Sequence, residues 1–161
     1  GHHYSEARSA TQARPSTSNA SRFDENIVIR QMIAGPWLTV EEIHDAVGSS
    51  VDALVIHGTG LGHLPIENPN NDAPQNIELQ DALSELSIPA LVVNQCIHGP
   101  VNMNVYSKGR IQQEIGLLGH GITSSPEAAI VKLHFALSNN MDVGSIMAEN
   151  LFGEQQQTIL N

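Results

Sequence analysis

Apolar residues in this chain gather into short runs separated by longer periodic stretches. The segments "NIVIRQM" (26–32), "DALVIHG" (52–58) and "PALVVNQ" (89–95) read as buried strands, too short and too rich in branched side chains for helices. Between and after them the pattern turns helical. In "LTVEEIHDAV", Thr39 with Glu42 forms a capping box and Leu38 faces Ile43 as a hydrophobic staple, so a helix starts near Val40. "QNIELQDALSEL" (75–86) sets Ile77, Leu79, Leu83 and Leu86 at mostly helical spacing. "SSPEAAIVKLHFAL" offers Ser125 as N-cap and Pro126 at the first helical position. "DVGSIMAENLFG" predicts a last helix, with Asp142 as cap and Gly153 past its end. Strands alternating with helices imply right-handed crossovers, hence a Rossmann-like α/β fold. The expectation is a three-layer sandwich around a parallel sheet of about four strands.

The pattern is missing from residues 1–23. "GHHYSEARSATQARPSTSNAS" is rich in Ser, Ala and Thr and has no period, so it reads as a disordered tail or linker, its Gly1-His2-His3 a possible tag remnant. Residues 24–161 then form one α/β domain. The chain has 161 residues, enough for a real core, and no apolar run nears the roughly 20 residues of a membrane span. A formal charge of -10, from 7 basic and 17 acidic residues, argues against direct nucleic-acid binding, which needs clustered Lys and Arg. Cys96 is the one cysteine, so no internal disulfide forms, and without a visible signal peptide a reducing cytoplasmic setting is expected.

Ligands of open parallel sheets sit outside the carboxyl ends of the strands. There the second strand runs into "HGTGLGHLP" (57–65) and the third into "NQCIHGPVNMN" (94–104). The glycines of "GTGLG" miss the dinucleotide fingerprint, because His63 occupies the place of its third glycine and no helix start follows. They read as a tight turn. His57, His63, His98 and His120 make no metal-ligand spacing, so no metal is expected. Cys96 with His98 is a poor nucleophile–base pair, lacking an orienting carboxylate nearby in sequence, and Gly-x-Ser-x-Gly is absent. What stands out is the density of neutral hydrogen-bonding groups in "VVNQCIHGPVNMNVYSKGR" (92–110): Asn94, Gln95, Asn102, Asn104, Tyr106 and Ser107. They suit a small polar ligand, with turn-capping as the plainer alternative.

Taken together and in order, "VIHGTGLGHLP", "NQCIHGPVNMNVYSKGR" and "SSPEAAIVKLHFALS" resemble the C-terminal domain of the bacterial-type L-asparaginase family. The likeness covers roughly Asn26 to Glu154. It is nearest to cytosolic (type I) asparaginases and to the asparaginase-like D-subunit of archaeal glutamyl-tRNA(Gln) amidotransferase. The resemblance implies that the nucleophilic threonine and its activating groups belong to a larger N-terminal domain, outside this sequence. It implies that this half closes the active site of a neighbouring subunit in an intimate dimer, so a homo-oligomer is expected, without a cofactor. Asparagine, aspartate or glutamine would be the ligand. His63 stands where many secreted members carry an Asn that reaches the site, and Asn102, Asn104, Tyr106 and Ser107 match the domain's second contribution. Gln95 and Cys96 match an effector site for asparagine in some cytosolic members. Two other roles remain open: a domain of the amidotransferase component that releases ammonia from glutamine, and a non-enzymatic amino-acid-binding regulatory module.

Overall fold

The computed structural model describes residues 23–48 and 50–155. The segment expected to be a tail lies, Phe23 apart, outside the described residues. Three parallel strands, β1 (Ile29–Ile33), β2 (Ala53–Gly58) and β3 (Ala90–Asn94), lie in the order β1-β2-β3. Ile29 pairs with Ala53 and Leu54 with Ala90, so the carboxyl ends come out side by side. A fourth position is reduced to one residue. Leu118 bridges Leu91 in parallel, its amide donating to the Ala90 carbonyl and its carbonyl accepting from Val92. Gly116 and Gly119, at φ of 86° and 126°, bend the backbone away on either side, which stops this edge from extending.

Successive crossovers of one hand place α1 (Val40–Ala46) and α2 (Gln75–Ser84) on the same face, where they pack on each other. β3 is buried along its whole length and β2 almost so, which requires cover on the second face. There α4 (Pro126–Ser138) touches β3 and carries α5 (Val143–Ala148). The core joins Leu54, Ile56, Leu91 and Val92 of the sheet to Ile43 of α1, Leu79 and Leu83 of α2, and Leu133 of α4.

The expected helix starts are formed by the expected atoms. The Thr39 side chain accepts from the Glu42 amide while the Glu42 carboxylate accepts from the Thr39 amide. The Ser125 side chain accepts from Ala128 N, and that of Asp142 from Ser145 N. The boundaries differ more. β1 starts at Ile29, not Asn26, because Asp24 Oδ1 accepts from both Asn26 nitrogens and folds those residues into a turn. The last helix ends at Ala148, where Asn150 and Gln155 exchange two side-chain–backbone bonds and close the following segment into a loop. A helix absent from the periodic reading, α3 (Ser107–Glu114), begins within the polar stretch.

Candidate functional site

The rim above β2 and β3 is closed by backbone. Gly58 at the end of β2 has no room for a Cβ, which would lie 2.6 Å from the Gly62 carbonyl carbon. The loop returns on itself through a bridge between Thr59 and His63, whose amides donate to each other's carbonyls at 2.9 and 2.8 Å. Gly62 takes φ +87°, and a Cβ there would strike Val101 at 2.7 Å. This is the tight turn expected of "GTGLG". Asn102 N donates to the Leu61 carbonyl at 2.9 Å, so the loops after β2 and β3 are joined directly.

This junction brings His63, Asn102, Asn104, Tyr106 and Ser107 into one neighbourhood. His63 is only 4% exposed, and its Nε2 makes no hydrogen bond among the described residues. The Tyr106 ring, itself about half exposed, stands edge-on to the imidazole with centroids 5.2 Å apart. Burial holds the His63 pKa below the ordinary imidazole value, helped by the Lys108 ammonium and opposed by a hydrogen bond with the Asn102 backbone. The ring is therefore neutral at pH 7 and able to donate or accept. Ser107 Oγ donates to Glu67 Oε1, a carboxylate forty residues away in sequence. Asn102 Oδ1 accepts from the Asn104 amide and Asn104 Oδ1 from Gln113 Nε2. Both Nδ2 groups remain as donors without a bond among the described residues. The neighbourhood thus offers amide donors and one carboxylate acceptor, the two complements of a zwitterion.

Gln95 and Cys96 lie apart from that cluster. They line a cavity of about 680 Å³ together with Asn94, Pro100 and the Thr123–Glu127 segment that opens α4. Gln95 Nε2 is already engaged, donating to the carbonyls of Ala34 and His57 at 2.7 and 2.6 Å. It ties the ends of all three strands together. Cys96 is exposed, and its amide donates to Asn94 Oδ1. Beside this cavity, burial draws the His57 imidazole below its ordinary pKa, and the Glu127 carboxylate opposes that shift.

Hydroxyls that invite a catalytic reading are already engaged. Thr59 Oγ1 donates to the His63 carbonyl, which is no base, and Ser107 Oγ donates to the Glu67 carboxylate. Among the described residues, no three His, Cys, Asp or Glu side chains group as a metal site, and no helix is long and apolar enough to cross a membrane. Sequence reading missed Glu67, Gln112 and Gln113. Only the pairing of distant loops reveals Glu67, and the two glutamines sit on the helix that gave no periodic signal.

Comparison with known proteins shows the family. Residues 30–148 match the family described as Glutaminase/Asparaginase C-terminal domain. The D-subunit of glutamyl-tRNA(Gln) amidotransferase from Methanobrevibacter smithii is 36% identical over 122 residues, which is 74% of this chain and 26% of that protein. L-asparaginase 1 of Escherichia coli K12 is 32% identical over 125 residues, again 74% of this chain and 34% of that protein. The chain thus spans about a quarter to a third of the length of these curated relatives. Among solved structures, the thermostable L-asparaginase from Thermococcus kodakarensis superposes with a TM-score of 0.69 at 26% identity, over 81% of this chain and 38% of that one. L-asparaginase I from Vibrio cholerae gives 0.65 at 30% identity, over 80% and 37%.

Proposed function

The chain belongs to the Glutaminase/Asparaginase C-terminal domain family, and from that premise we propose that it is the substrate-binding half of an L-asparaginase-type amidohydrolase, which converts asparagine to aspartate and ammonia. The observation that carries this reading is the rim where Asn102, Asn104, Tyr106 and Ser107 meet His63 beside Glu67. The Asn102 and Asn104 amides suit a carboxylate, and Glu67, oriented by Ser107, suits an ammonium. The half-exposed Tyr106 ring lies against His63, whose neutral imidazole adds a contact without adding charge. These groups bind and orient. Hydrolysis needs an activated nucleophile and an oxyanion hole, which fall to the N-terminal asparaginase domain across a homo-oligomeric interface. On this reading the isolated chain is inactive, and the protein works in the cytoplasm.

The cavity beside Cys96 is the candidate effector site, with Gln95 framing it and Cys96 facing it. A second reading is favoured by the 36% identity to the amidotransferase D-subunit, against 32% to L-asparaginase 1 of E. coli. There the same rim would take glutamine and the released ammonia would pass to a partner protein. The charge of -10 assigns any contact with tRNA to another domain or protein. A regulatory amino-acid-binding module is the non-enzymatic form of the same site.

Calorimetry of the 161-residue chain with asparagine, aspartate and glutamine, beside an ammonia-release assay, tests the proposal. Binding of one of them without hydrolysis is expected. Hydrolysis by chain free of contaminating enzyme would overturn the division of labour, and absence of binding to all three would overturn the site.

A further inference from the structure

Gln112 is wholly buried, an unusual place for a primary amide in a helix with so few apolar positions. Its Nε2 donates to the Gly62 carbonyl at 2.9 Å, and its Oε1 accepts from the Leu64 amide at 3.0 Å. The two partners are the residues immediately before and after His63. A carbonyl can only accept and a backbone amide can only donate, so the orientation of the side-chain amide is fixed by chemistry. The same helix α3 starts directly after Tyr106, the ring lying against His63. Gly109 brings α3 against the other loop, where a Cβ would sit 2.4 Å from the Met103 carbonyl oxygen.

We infer that Gln112 is a positioning residue: by clamping the backbone on both sides of His63 to the helix that follows Tyr106, it sets the imidazole against the tyrosine. That inference rests on the proposed binding role of His63 only for its consequence, not for its geometry. A bidentate backbone clamp fixes the loop in translation and in twist, which one hydrogen bond does not. The buried donor and acceptor on either side of His63 each have one good partner in Gln112, and losing it leaves polar backbone atoms without one. Both parts of the site therefore move together or not at all.

The test is made on the whole chain with Gln112→Leu and Gln112→Glu, the second keeping volume and the acceptor and losing the donor once its carboxyl is ionised, so it is read at alkaline pH as well. Long-range nitrogen–proton spectra read the His63 tautomer, its titration midpoint and the ring-current shift from Tyr106. In Gln112→Leu the ring-current shift is lost and the midpoint rises toward the ordinary imidazole value; Gln112→Glu shows the same changes in part. A core control, Leu79→Ala, lowers stability and leaves both signals in place. Where Gln112→Leu fails to fold, Gln112→Glu decides. Unchanged His63 signals in a folded Gln112 variant would overturn the inference, and so would equal changes in the Leu79 control. Affinity for asparagine, aspartate or glutamine is measured in parallel, with a loss of about tenfold expected from a displaced hydrogen-bonding group. Altered His63 signals with unaltered affinity would uphold the role of Gln112 and remove His63 from the binding site.

Discussion

Lys132 presents the sharpest test of the packing. It lies on the inner side of α4 with its side chain 2% exposed, and its ammonium stands 2.7 Å from Glu154 Oε1, a carboxylate side chain 11% exposed. The same nitrogen donates to the carbonyl of Glu149, the C-cap of α5, where a cation also suits the helix dipole. Replacing Lys132 by Met keeps most of the volume and strands Glu154. Removing one partner of a buried pair costs about 3–5 kcal/mol, and the partial exposure of Glu154 points to the lower figure, about 3 kcal/mol. The Glu149 carbonyl does not add to this, because Gln155 Nε2 also donates to it at 3.2 Å. In a chain of this size each kcal/mol moves the melting temperature by about 2–4 °C, so a fall of roughly 6–12 °C is expected.

The assay is a thermal melt of the single variant and of Lys132→Met with Glu154→Leu, read as a double-mutant cycle. Replacing both charges with apolar groups should recover most of the loss. Acidity adds a second arm. Burial works to raise the Glu154 pKa, but hydrogen bonds from Lys132 and from backbone, with the attraction of the ammonium, outweigh it and hold the carboxyl below its ordinary value. The stability this supplies is present above the ordinary glutamate range and is lost as pH falls through the lower folded-state value. The gap between parent and Lys132→Met therefore narrows on acidification. A single variant melting within about 2 °C of the parent, or a gap that widens in acid, would refute the reasoning.

Gly109→Ala should destabilise the chain by about 2 kcal/mol in urea, although alanine is the better helix former by about 1 kcal/mol, because its Cβ would lie 2.4 Å from the Met103 carbonyl oxygen. A gain in stability would mean that the loop yields freely. His63 and His57 both have folded-state pKa values pulled below 6.5, so the unfolded chain binds more protons in that window and stability falls as pH drops below about 6.5. Denaturant melts of the parent, His63→Gln and His57→Gln, compared at several pH values, check this, and an unchanged slope in both variants would contradict it. In an enzyme reassembled with a nucleophile-bearing N-terminal domain, His63→Ala or Asn104→Ala should raise KM about tenfold and change kcat little, the mark of a contact shared by ground and transition states. Steady-state kinetics read the split.

What could be read from sequence was what neighbouring residues decide. The caps of α1, α4 and α5 involve atoms three residues apart, and each formed as the local pattern specifies. The strands were legible because continuous apolar runs have few other homes in an α/β sandwich. Helix α3 was not legible, since two of its inward positions are Gly109 and Gln112, which leave no apolar stripe to detect. The fourth strand shrank to Leu118 because the glycines flanking it break the edge. Glu67 escaped notice for a third reason: its partner is set by the meeting of two loops, and no local rule carries that information.

The amide-rich stretch after β3 shows how far composition alone can mislead about a site. Gln95 commits its amide to the carbonyls of Ala34 and His57, and Asn94 binds the backbone of Cys96 and Gly99. The Asn102 and Asn104 carbonyl oxygens accept from Asn104 and Gln113. Most of the acceptors that suggested a ligand thus hold strand ends and loops in register. On the proposed reading the rim meets another domain, and amides that donate and accept at once hold its shape at less cost than unpaired buried charges. What remains for a ligand is small and asymmetric: two amide donors, one carboxylate held by Ser107, a tyrosine and a neutral histidine beside it. On the proposed reading that remainder orients a zwitterion, and hydrolysis falls to the other domain. The proposed division of labour between the two halves of an amidohydrolase follows from this arrangement.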